Sequence, residues 1–149
     1  MKKILYTLAL VAALTSCVGS YNVEGSSSIT ALDGSKLYLK AIKNNQLKNL
    51  DSCEVVHGEF HFSGTLDSVR MASLYMDDES VMPIVLEKGD IVVKIEAGRQ
   101  IVSGTPLNDS LYVFIEEHNR LSNQMNELSH KQSQMLLDGI DEAAINEQL

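Results

Sequence analysis

The hydrophobic period of this chain changes once, at Ser103-Gly104, and that single change constrains the fold more than any other feature. Before it, apolar residues recur at every second position. In Ile91-Val92-Val93-Lys94-Ile95-Glu96, the side chains of Ile91, Val93 and Ile95 share one face while Lys94 and Glu96 share the other, the period of a half-buried strand. Phe60 and Phe62 alternate with Glu59, His61 and Ser63 in the same way. Between such runs stand Asp33-Gly34, Asn44-Asn45, His57-Gly58, Asp77-Asp78, Lys88-Gly89 and Gly98. Turn residues at about 8–12-residue spacing predict an antiparallel sandwich-like domain of about seven or eight strands over residues 21–104. Val81-Met82-Pro83-Ile84-Val85-Leu86 is apolar on both phases, which predicts a central strand with Pro83 at an edge or bulge.

After Gly104, residues Leu107, Leu111, Phe114, His118, Leu121, Met125, Leu128, Gln132 and Met135 step by alternating four and three positions. This is a helical stripe. Thr105 followed by Pro106 marks its start as N-cap and first helical residue. Asp138-Gly139 breaks the pattern, and Asp141-Glu142-Ala143-Ala144 resembles the start of a second helix running to Leu149. No glycine or proline closes it, so the helical segment 105–149 is expected to be part of something longer. The stripe is expected to pack on the domain's own sheet, with His118 at the rim and Met125 and Met135 as core fillers. The other use of such spacing is a coiled-coil seam, in which the polar His118 and Gln132 set the register.

The first seventeen residues are an address and not part of the fold. Lys2 and Lys3 precede an apolar run from Ile4 to Leu14, too short for the roughly 20 residues that cross a bilayer, so residues 1–16 are expected to be a signal peptide. Leu14-Thr15-Ser16-Cys17 resembles the bacterial lipobox, whose cysteine becomes the lipidated first residue of the mature protein. That resemblance implies lipidation at Cys17 with more than one acyl chain, and stable anchoring takes about two. Residues 17–20 then form the tether. Val18 is not the Asp that holds such lipoproteins at the inner membrane, and Val18-Gly19-Ser20 lacks the acidic residues of those exported to the cell surface. The expected location is the outer membrane, facing the periplasm.

Cleavage leaves 133 residues, enough for one core, and removes both leader lysines, so 10 basic side chains stand against 20 acidic ones. A net charge of −10 argues against nucleic acid and against an electrostatic grip on anionic lipid. The other cysteine, Cys53, has Glu54 beside it, which would raise its pKa, and no C-x-x-C occurs. Cys53 is therefore expected to be a small buried residue and not a reactive thiol.

His57, Glu59 and His61 fall on one face of an extended segment, and those residue types bind zinc or copper when they converge. Two features weigh against it. No fourth donor is evident, and the phase opposite Phe60 and Phe62 should face water. Asp77-Asp78-Glu79 lacks the spaced acidic loop of a calcium site and is expected to be a solvated turn. Ser26-Ser27-Ser28 is expected to be polar loop, and no Gly-x-Ser-x-Gly elbow exists. No metal, cofactor or catalytic constellation is assigned.

Asp51-Ser52 with Val55, then Gly58-Glu59-Phe60-His61-Phe62-Ser63-Gly64, Leu86-Glu87-Lys88-Gly89-Asp90-Ile91 and Val102-Ser103-Gly104-Thr105-Pro106-Leu107-Asn108-Asp109, resemble in order and spacing an uncharacterised N-terminal β-domain of envelope lipoproteins. In many relatives that domain precedes a thioredoxin-like domain of the peroxidase and disulfide-oxidoreductase type. The resemblance implies fold and company but supplies no catalytic residue, because the redox cysteines of such proteins lie in the thioredoxin-like part. The expected function is a non-enzymatic interaction or positioning module, with the membrane and an envelope protein as partners. Two other readings remain open: the front part of a tethered thiol-disulfide oxidoreductase, and an envelope metal or small-ligand binder.

Overall fold

The computed structural model describes residues 19–141, so the signal segment, Cys17 and the residues after Asp141 lie outside the described part. Eight strands follow one another: β1 (Gly19–Ser27), β2 (Lys36–Lys43), β3 (Gln46–Glu54), β4 (Glu59–Leu66), β5 (Arg70–Met76), β6 (Glu79–Leu86), β7 (Gly89–Glu96) and β8 (Arg99–Ser103). They form two four-stranded sheets, ordered β4-β1-β7-β8 and β3-β2-β5-β6. The period-two pattern explains why. Val23, Phe62, Ile91, Val93 and Val102 line the buried phase of the first sheet, and Leu37, Leu39, Leu74, Ile84 and Leu86 that of the second. These faces make one sandwich core.

The turns sit where positive φ is needed. Asn44 and Asn45 have φ of 54° and 60°, and His57 and Gly58 have 54° and 77°, the two-residue geometry that matches strand twist. The His57-Gly58 turn also moves the chain from one sheet to the other, since β3 and β4 belong to different sheets.

The expected mainly antiparallel sandwich followed by a helix is what forms, and four details differ. The sandwich is not wholly antiparallel, because β1 pairs parallel with β7 from Tyr21↔Gly89 to Ser27↔Ile95. β6 is an edge strand, not a central one. On its second apolar phase only Val85 is buried, and the start of the helix meets it there: the Asn108 carboxamide donates to the Val85 carbonyl at 2.7 Å and accepts from the Val85 N–H at 2.8 Å. Gly19 and Ser20, expected in the tether, are already strand, and Ser26 and Ser27 end β1 and are not loop.

Register between β1 and β4 is set by two reciprocal glycine–aromatic pairs. Gly25 lies opposite Phe60, and Tyr21 lies opposite Gly64, with Val23↔Phe62 between them. A Cβ on Gly25 would fall 1.9 Å from the Phe60 ring, and one on Gly64 would fall 2.6 Å from the Tyr21 hydroxyl. Each ring therefore lies over the backbone of the facing glycine, and any one-residue slip would drive both rings into side chains. Phe60 and Phe62 also meet edge to face, 6.3 Å apart.

Helix α1 spans Pro106–Leu137. It ends in a Schellman motif: Gly139, at φ 80°, donates to the Leu136 carbonyl at 3.1 Å, and Ile140 donates to the Met135 carbonyl at 3.0 Å. The chain divides into two compact units between Asp109 and Ser110, so only the first turn of α1 belongs with the strands. The stripe is open from Phe114 to Leu128, against the expectation for Met125, whereas Met135 is buried as expected of a core filler. Phe114 and Met125 are 66% and 68% exposed, and Leu121 and Leu128 are 47% exposed. From Glu116 to Gln134, Asn, Ser, Gln and charged residues fill the flanks and leave a narrow seam, while Tyr112, Val113 and Ile115 broaden it at the start of the helix and Leu136 and Leu137 at its end.

Candidate functional site

β1 runs the length of the sandwich and separates two surface depressions. Near its end, Glu24, Gly25 and Ser26 join Cys53, Glu54, Val56, His57, Glu59, Phe60 and His61 around an open groove of about 820 Å³. All three sequence-predicted metal candidates line it, yet they do not converge. His57 is held in the turn, Glu59 stands exposed, and His61 Nε2 donates to Asn22 Oδ1 on the neighbouring strand. The Asn22 amide in turn faces Glu24 at 3.3 Å and Asp90 at 3.4 Å. Among the described residues no group of three or more His, Cys, Asp or Glu side chains is placed to hold a metal ion.

Cys53 is half-buried in the same groove. Burial pushes its thiol pKa up, a hydrogen bond with the His61 backbone pulls it partly back, and the nearby Asp51 carboxylate raises it again. The expected direction holds, but the charge responsible is Asp51 and not the adjacent Glu54, whose side chain points out of the strand on the exposed phase. A thiol held protonated at neutral pH is a poor nucleophile.

The second depression, of about 240 Å³, lies near the start of β1 and is lined by Tyr21, Asp51, Gly64, Leu66, Arg70 and Leu86, among others. The Tyr21 hydroxyl is raised in pKa first by burial and then by Asp51, with Arg70 opposing. The Nε of Arg70 is buried without a hydrogen-bond partner. Sequence reasoning missed this cluster, although one signal was there. Arg70 shares its phase with Ala72 and Leu74, so alternation along β5 aims a cation inward.

The most completely bonded polar cluster is the junction before α1. Buried Glu87 accepts the N–H groups of Leu107 at 2.7 Å and Asn108 at 3.2 Å, capping the helix with a carboxylate 20 residues upstream. Thr105 stands at the expected N-cap, but its hydroxyl instead accepts from the Asn108 amide at 2.8 Å. Asn108 is fully buried and satisfied at every contact to Val85 and Thr105. This junction locks strand to helix and presents nothing to a ligand.

Fold and surface together define a small β-sandwich domain with a helical extension, built around packing and polar locks. The chain belongs to the family described as a domain of unknown function (DUF4369), whose model matches residues 21–111. No curated protein matches it. Among the described residues no helix is long and apolar enough to cross a membrane.

Proposed function

We propose that this protein is a lipid-anchored envelope module that positions a binding surface and has no catalysis of its own. The observation that carries the reading is the distance between anchor and fold. Cys17, the lipobox cysteine, stands two residues before Gly19, where β1 begins, and β1 is an interior strand with neighbours on both sides. A tether that short ties the start of the sandwich to the bilayer surface. The groove begins at Glu24 to Ser26, which at about 3.3 Å per residue lies roughly 20 Å along the strand from Gly19.

Several features favour a binding role over chemistry. The one described thiol is held protonated, the histidines are not paired with a nucleophile, and the buried polar groups at Glu87 and Asn108 are spent on structure. The acidic net charge makes the acyl chains, not basic residues, the means of attachment.

Membrane fractionation with acyl-chain labelling tests the anchor. Cys17→Ser is expected to release the protein from membranes and abolish labelling. Label incorporation unchanged by the substitution overturns the reading.

A further inference from the structure

We propose that α1 is a self-association element whose exposed seam pairs with the same seam of a second copy, the two helices running antiparallel. The proposal deepens the interaction reading above by naming a partner, and it stands on the helix alone.

Leu107, Phe114, Leu121 and Leu128 recur every seven residues, with Leu111 and Met125 interleaved at the complementary positions. Sustained four-three spacing over four heptads is the pattern that holds its seam toward one partner helix. The helix is 32 residues long, about 48 Å, and the seam is open from Phe114 to Leu128 and closed at Met135. Open apolar side chains in such a row mark an interaction site.

The flanking charges select the occupant and its direction. Glu117 and Lys131 lie on the same flank of the seam, two heptads apart, with Gln124 midway between them. In an antiparallel pair centred there, Leu121 meets Met125 of the second copy and His118 meets its Leu128. Glu117 then faces Lys131 of the second copy, and the two-fold axis repeats that ion pair at the other end. In a parallel pair the same flank positions face Ser122, Ser129 and Leu136, and no opposite charges meet. Within one helix Glu117 already bonds Arg120, at 2.6 Å, but that pair is exposed on both sides and holds it weakly. His118 and Gln132 sit in the seam opposite Leu128 and Phe114, which fixes register and keeps the association modest.

The test uses the full chain carrying Cys17→Ser, secreted and purified, so that it reads association whether or not the anchor assignment holds. Sedimentation velocity from about 1 to 100 μM is expected to show a concentration-dependent dimer. Leu121→Glu is expected to leave a monomer with unchanged far-ultraviolet circular dichroism. Glu117→Lys and Lys131→Glu are each expected to weaken the dimer about tenfold, because both symmetry-related pairs become repulsive, and the double variant is expected to recover the original constant. Oxidation of Gln124→Cys should cross-link the antiparallel dimer at its centre. A monomer across the range, a dimer indifferent to Leu121→Glu, or single charge reversals with no recovery in the double variant would each overturn the proposal.

Discussion

The strands and the helix carry hydrophobic patterns of equal regularity and use them in opposite ways. Along β7, Ile91, Val93 and Ile95 disappear into the core, whereas along α1 the row from Phe114 to Leu128 remains in contact with solvent. Periodicity therefore states which residues share a face, and it leaves open whether that face meets the same molecule. The discriminating feature lies beside the pattern. β-Strand alternation here is backed by rings lying over glycines and by eight strands that satisfy one another, while the helical stripe between Glu116 and Gln134 is narrow and bordered by polar side chains.

The contrast breaks most sharply on large-to-small substitutions. Phe62→Ala should cost about 3–5 kcal/mol in a denaturant melt, because its fully buried ring packs on Phe60 and faces Val23. Phe114→Ala, the removal of a ring of the same size from α1, should change the stability of the monomer by less than about 0.5 kcal/mol. Equal losses would mean that the two patterns do the same job.

The junction between the two regions should show an intermediate effect. Asn108→Ala leaves the Val85 N–H and C=O without their partners at an edge strand, and a loss of about 2–3 kcal/mol is expected from thermal or chemical melts. A loss under about 0.5 kcal/mol would show that water replaces the carboxamide freely.

The smallest effect is expected at the groove. His61→Ala removes an exposed ring bonded to Asn22 and should shift stability by no more than about 0.5 kcal/mol, with no change in the wild-type melting temperature on adding a chelator. A drop in melting temperature with the chelator would restore the metal reading of His57, Glu59 and His61.

What could be read from the sequence was local, and what could not depends on contacts between distant residues. The turns at Asn44-Asn45 and His57-Gly58 announce themselves because few residues accept positive φ, and the buried phases of β4 and β7 follow from alternation alone. The edge position of β6 was hidden because the group that covers Val85 comes from Asn108, 23 residues later. The helix start at Thr105-Pro106 follows from local propensity, but the carboxylate that takes the first free N–H groups does not, because Glu87 comes from 20 residues upstream. The parallel pairing of β1 with β7 joins residues nearly 70 positions apart, and no periodicity records such a partner. At the candidate site, the spacing of His57, Glu59 and His61 puts all three beside one groove, but His57 sits in the turn and the Asn22 amide that occupies His61 comes from another strand, which spacing does not record.

The place of β1 between β4 and β7 also has a mechanical consequence. A pull applied at Gly19 along the strand axis loads the hydrogen bonds to both neighbours at the same moment, in shear, and the rings over Gly25 and Gly64 act as detents against sliding. Such a strand cannot be peeled away one bond at a time, as a terminal strand at a sheet edge can. Resistance to a tug at that end is then set by the rate of unfolding and not by its equilibrium.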